Sequence, residues 1–150
     1  MPTKPPLRAA ALDGTADDVE AAFYEALQRG DIDALMACWA DEDDIVCVHP
    51  GGPRLVGMAQ IRASFEALFA RGPLQLRIEE VRRVDTLASS VHSVVERATL
   101  DLPEGTREAV AVATNVFHKT AQGWRLVAHH ASPGTVGEPG PRAEAAQTLH

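Results

Sequence analysis

The spacing of the apolar residues changes once along this chain, at Leu74, and that change limits the possible folds more than any other feature. Before it, Val19, Ala22, Phe23, Ala26 and Leu27 recur at the three- and four-residue spacing of one helix face, between Thr15 and the stop at Gly30. Asp31 caps a second, shorter helix with Ile32, Leu35, Met36 and Trp39 on one side, ahead of the acidic turn Asp41-Glu42-Asp43-Asp44. Residues 45–49 read as a short strand, ended by Pro50-Gly51-Gly52-Pro53. A third helix after Gly57 aligns Met58, Ile61, Phe65, Leu68 and Phe69, and Gly72-Pro73 stops it. From Leu74 the period is two: strands are expected from Leu74, over 87–102, over 108–119 and over 124–132, joined by turns at Pro103 to Thr106 and Ala121 to Gly123. Helices followed by sequential strands predict an α+β fold, with three N-terminal helices packed on a curved, mainly antiparallel sheet.

The strand from Glu108 is apolar on both sides, with Val110, Val112 and Val116 on one and Ala109, Ala111, Ala113 and Phe117 on the other. Neither side suits water. One side receives the helices, and the other is expected to meet a second copy of the same sheet, so a homodimer packed sheet to sheet is predicted. A length of 150 residues with 45% hydrophobic content suits one domain, expected over 15–132, with 1–14 and 133–150 as flexible termini. The net charge of -7 argues against a nucleic-acid partner, which needs a basic face for phosphates. No run approaches the roughly 18 to 20 apolar residues of a membrane span, and the start lacks a signal-like apolar stretch, so a cytoplasmic protein without a membrane partner is expected. Cys38 and Cys47 read as buried thiols.

The closing hairpin, Thr114 to His118 and Trp124 to Ser132, sets polar side chains among apolar ones, which points to a cavity. Cross-strand pairing can bring Arg97 and Asn115 to one face and add Phe117, Leu126, Ala128 and His130; a slip of one residue would undo that set. His129 and His130, adjacent on a strand, point to opposite faces and cannot hold one metal together. With no HExxH and no spaced His and carboxylate cluster, neither a metal nor a cofactor is expected. Plainer roles stand beside these. His49 can cap a strand end, Arg97 can pair with Glu108, Trp39 is core before it is a wall, and His92 and His118 read as surface or interface residues.

Arg29-Gly30-Asp31-Ile32-Asp33-Ala34-Leu35, Asp43-Asp44-Ile45-Val46-Cys47-Val48-His49-Pro50 and Gly57 to Phe65 together resemble the nuclear transport factor 2-like, or SnoaL-like, superfamily over roughly 15–132. The hairpin and its Trp…His-x-Ser ending look most like the calcium/calmodulin-dependent protein kinase II association domain and its bacterial relatives. The resemblance implies a cystatin-like cone. It also implies residue roles: His49 falls where the ketosteroid isomerase members have their carboxylate base, Phe23 where they have a tyrosine donor, and Thr114-Asn115 near their second, acidic donor. The isomerase oxyanion site is therefore expected to be missing, and Arg97 matches a pocket arginine of the association domain. The expected site is His49 as general base with Trp39, Arg97, Asn115, Phe117, His130 and Ser132 around a small apolar, carboxylated substrate. Two functions follow, a cofactor-independent lyase, isomerase or hydrolase, and a non-catalytic ligand-binding or association module.

Overall fold

The computed structural model describes residues 14–135. Helix α1, Ala16–Arg29, opens on a reciprocal cap: the Thr15 hydroxyl accepts from the Asp18 amide while the Asp18 carboxylate accepts from the Thr15 amide at 2.9 Å. Gly30 closes it at φ 68, a left-handed angle that a side chain would strain. In α2, Ile32–Ala37, the Asp31 carboxylate accepts from the Ala34 amide at 3.0 Å. Strands β1, Val46–Val48, and β2, Arg54–Val56, form a hairpin around the Pro-Gly loop. Three residues carry too little pattern for β2 to be read from sequence. Helix α3, Met58–Phe69, is followed by β3, Gln75–Asp85, β4, Ser89–Leu102, β5, Gly105–Thr120, and β6, Gly123–Pro133.

The six strands form one curved, open sheet in the order β2-β1-β6-β5-β4-β3, antiparallel throughout except where β1 runs parallel to β6. The long strands confirm the expected meander. The parallel step sets Cys47 opposite His129 and brings the loop after β1, with His49, to the end of β6.

The helices cover one face of this sheet. Val19 and Phe23 of α1, Leu35 of α2, and Ile61 and Phe65 of α3 are buried against Val94, Ala113, Phe117 and Leu126. Burying each large apolar side chain contributes roughly 1.5–3 kcal/mol. Phe23 lies at the centre, edge-on to Tyr24, Trp39 and Phe65 at centroid distances of 5.0, 6.4 and 6.1 Å. Trp39 is buried and tied to the sheet by its neighbours, since the Ala40 amide donates to the Leu126 carbonyl and the Leu126 amide to that of Cys38.

The opposite face carries Val112 and Val116, both half-buried in the single chain. Val110 is covered by the chain itself: the Gly134 amide donates to the Val110 carbonyl at 2.7 Å, and a side chain at Gly134 would collide with Val110. Backbone pairing thus runs past 132, while 1–13 and 136–150 of the expected termini lie outside the described residues. No helix among the described residues is long and apolar enough to cross a membrane.

Candidate functional site

A cavity of about 530 Å³ lies between α3, the end of α1 and the helix-side face of β4, β5 and β6. Its walls are apolar, with Phe65, Leu68, Leu76, Ala98, Ala111 and Ala131 among them. His49, Ser64, Glu96 and His129 interrupt those walls, and exposed Arg71 stands at the rim.

His49 Nε2 is 2.9 Å from Ser64 Oγ, and Ser64 donates its hydroxyl hydrogen to the Ile61 carbonyl at 2.7 Å. A hydroxyl has one hydrogen, so Nε2–H is the donor of the first contact and Nδ1 keeps the lone pair. The ring stands edge-on to Phe65 at 4.8 Å, and burial lowers the His49 pKa, favouring the neutral base. Cys47, 3.9 Å from the same nitrogen, is a poor nucleophile: burial above all pushes its thiol up to about 12.

Behind the far wall lies a chain of directed hydrogen bonds. His129 Nδ1 donates to Asn115 Oδ1 at 2.5 Å, leaving Nε2 with its lone pair. Asn115 Nδ2 donates to Glu20 Oε2 at 2.9 Å and to the Tyr24 hydroxyl at 3.0 Å. Tyr24 in turn donates to Glu96 Oε2 at 2.6 Å. Each partner fixes the next, so no amide or hydroxyl orientation is left open. Complete burial holds the His129 pKa down to about 3. Burial also raises the Glu96 pKa, outweighing the lowering effect of the Tyr24 bond, and it raises that of Tyr24 itself. With Oε2 taken by Tyr24, a proton on Glu96 resides on Oε1.

The expected residues do not assemble into one cavity. Arg97 pairs with Val110 and Asn115 with His92 and His129, so Arg97 and Asn115 occupy opposite faces. Arg97 lies on the face away from the helices and donates to Glu79 at 2.6 Å, with Glu108 at 3.9 Å. His130 and Ser132 are exposed on that same side. The reason is a bulge: Val116 pairs with Ala128 but Phe117 with Leu126, leaving Val127 over. Leu126 and His129 therefore both face the core, and strict alternation, which points to His130, selects the wrong imidazole. Trp39 and Phe117 are core residues away from the cavity wall, and Asn115 stands behind His129. His92, expected at a surface or interface, is 1% exposed.

Glu96, Tyr24 and Ser64 had readable signals. Glu96 continues the period-two row Ser90, His92 and Val94; Ser64 is three residues after Ile61 and four before Leu68 on an apolar helix face; Tyr24 adjoins Phe23. Glu96 on the strand beside Asn115, and Tyr24 one residue after Phe23, are an acid and a hydroxyl that the structure brings into the interior, hydrogen-bonded to each other.

The sequence profile of the SnoaL-like domain matches residues 17–135. The chain belongs to the SnoaL-like family. Solved structures agree. A Thiobacillus denitrificans protein, provisionally described as a calcium/calmodulin-dependent protein kinase type II association domain, is 34% identical with a TM-score of 0.75, over 83% of this chain and 98% of that one. A Streptomyces avermitilis protein, provisionally described as a dehydratase of the NTF2-like family, is 32% identical with a TM-score of 0.70, over 79% of this chain and 92% of that one. A Caulobacter vibrioides protein with a cystatin-like fold shares the architecture at 14% identity and a TM-score of 0.69, over 89% and 93%. No curated protein matches the chain. Within the SnoaL-like family this chain thus has neighbours with association-domain and dehydratase descriptions, and the fold leaves the activity open.

Proposed function

We propose that the cavity binds a small, mostly apolar molecule and that the chain moves protons on it with its own base and acid, as an isomerase or dehydratase does. One observation carries this reading: on a single apolar cavity, burial displaces His49 and Glu96 in opposite directions, towards a neutral base and a neutral acid. His49 Nδ1 takes a proton from a carbon beside a carbonyl or hydroxyl-bearing carbon. Glu96 Oε1 gives its proton to the carbonyl oxygen, producing an enol, or to a departing hydroxyl, which leaves as water while the C=C bond forms. Either step leaves imidazolium and carboxylate; the imidazolium then gives its proton to another substrate carbon or to solvent, and the carboxylate recovers one from the enol hydroxyl or from solvent. The description of the Streptomyces avermitilis relative as a dehydratase is consistent with the second course. Arg71, which forms no ion pair among the described residues, suits a substrate carboxylate at the rim, the role expected of Arg97.

The test is proton exchange. Small ketones and 3-hydroxy acids are incubated with the protein in D2O, and deuterium incorporation or alkene formation is followed by NMR. His49→Ala and Glu96→Gln are each expected to lower the rate by roughly 10²- to 10⁴-fold. Wild-type rates unchanged in both variants would sink the proposal.

A second reading, a non-catalytic association or ligand-binding module, draws on the half-buried Val112 and Val116 of the outer sheet face and on the association-domain description of the Thiobacillus relative. In that case the chain forms a homodimer through this face, and ligands raise Tm without turnover.

A further inference from the structure

We propose a second site, separate from the cavity, that binds a divalent transition-metal ion through Asp17, Glu20 and His92. Asp17 and Glu20 are three residues apart on the first turns of α1 and share one side of it, facing His92 on β4. One nitrogen of His92 and one oxygen of each carboxylate lie within 4.8 Å of one another. An imidazole with two carboxylates is a donor set for Zn²⁺, Mn²⁺ or Fe²⁺.

The state of His92 argues that this is more than an acidic cluster. The side chain is 1% exposed, and its Nδ1 has no hydrogen-bond partner, although Glu20 Oε1 is only 2.9 Å away. The ring N–H direction misses that oxygen. A buried nitrogen left without a hydrogen bond is destabilising, because burial has taken away its water and nothing replaces it. A cation in front of nitrogen and carboxylate satisfies both.

The surroundings fit. Glu20 is held by the Asn115 amide on its other oxygen at 2.9 Å, the kind of outer support that orients a metal ligand. A cavity of about 140 Å³ opens beside Asp17 and His92, room for waters to complete the coordination at about 30 Å³ each. Asp17 is 54% exposed and gives the ion a way in. Its present partner is Arg83, at 2.7 Å. Binding therefore competes with an exposed ion pair, which is a weak opponent.

The experiment uses the full chain, stripped with EDTA and desalted, titrated calorimetrically with ZnCl₂ alone and followed in parallel by Tm. One Zn²⁺ per chain and a raised Tm are expected. Asp17→Asn is expected to weaken binding by about tenfold or more, and His92→Gln to abolish it. The exposed substitutions His118→Ala and His130→Ala should change neither readout. Asp17→Asn decides the matter if His92→Gln fails to fold. No saturable binding, or binding that survives Asp17→Asn, means an adventitious ion only and overturns the proposal. Because none of these residues lines the large cavity, the outcome is independent of the proton-transfer reading.

Discussion

The Tyr24 hydroxyl lies 2.6 Å from Glu96 Oε2, joining the middle of α1 to the middle of β4 across 72 residues of sequence. This bond turns the free oxygen of the carboxyl away from Tyr24. Tyr24→Phe keeps the edge-on packing with Phe23 and removes both this donor and the acceptor for Asn115. Stability should fall by about 1–3 kcal/mol in urea denaturation. Because the Tyr24 bond lowers the Glu96 pKa, carboxyl NMR should find that pKa higher still in the variant.

Glu96→Gln tests the cost of ionising that carboxyl. The folded pKa is raised above the ordinary 4.5, so the native chain holds its proton where the unfolded chain has lost it. Its contribution is full below about 4.5 and is lost as pH rises through the folded value. The stability of Glu96→Gln relative to wild type should therefore climb with pH above 4.5 and be flat below it. A constant difference across pH 3 to 8 would count against a buried acid.

His129 sets the opposite limb. Its folded pKa is lowered from 6.5 to about 3, so the unfolded chain binds the extra proton first. Stability is full above about 6.5 and drains as pH falls from there towards 3. Denaturation midpoints should decline over that window in wild type, with His49 adding in the same direction, and the decline should be shallower in His129→Gln.

Arg97→Ala separates the two sheet faces. The guanidinium pairs with Glu79 on the side away from the cavity, so its loss should leave ligand-induced Tm shifts intact. Arg71→Ala should instead abolish shifts caused by carboxylates. The reverse result would return the binding role to Arg97.

Val116→Glu addresses the outer face. If two copies pack there, light scattering of wild type should give twice the chain mass, and the charged variant should run as a monomer with its helix-side core unchanged.

The order of the elements was legible, β2 apart, because the others announce themselves locally. The Thr15 cap, the Gly30 stop, the helical faces and the four long strands depend on near neighbours in sequence, and the structure reproduces them, except that the second helix ends at Ala37 and Trp39 beyond it bridges to Leu126. His49 was placed by its position before Pro50 and does line a cavity. The remaining cavity residues depend on cross-strand register, which a single extra residue resets. Val127, bulged from β6, turns His129 inward and His130 outward, and the pairing of Arg97 with Val110 sends that guanidinium to the far face. Sequence by itself determined which segments are helix or long strand and how they follow one another, since capping and periodicity act over a few residues, whereas three-residue β2 is set by its pairing with β1. Which side chains share a space was decided only by the tertiary structure, because facing depends on long-range pairing that no local pattern encodes.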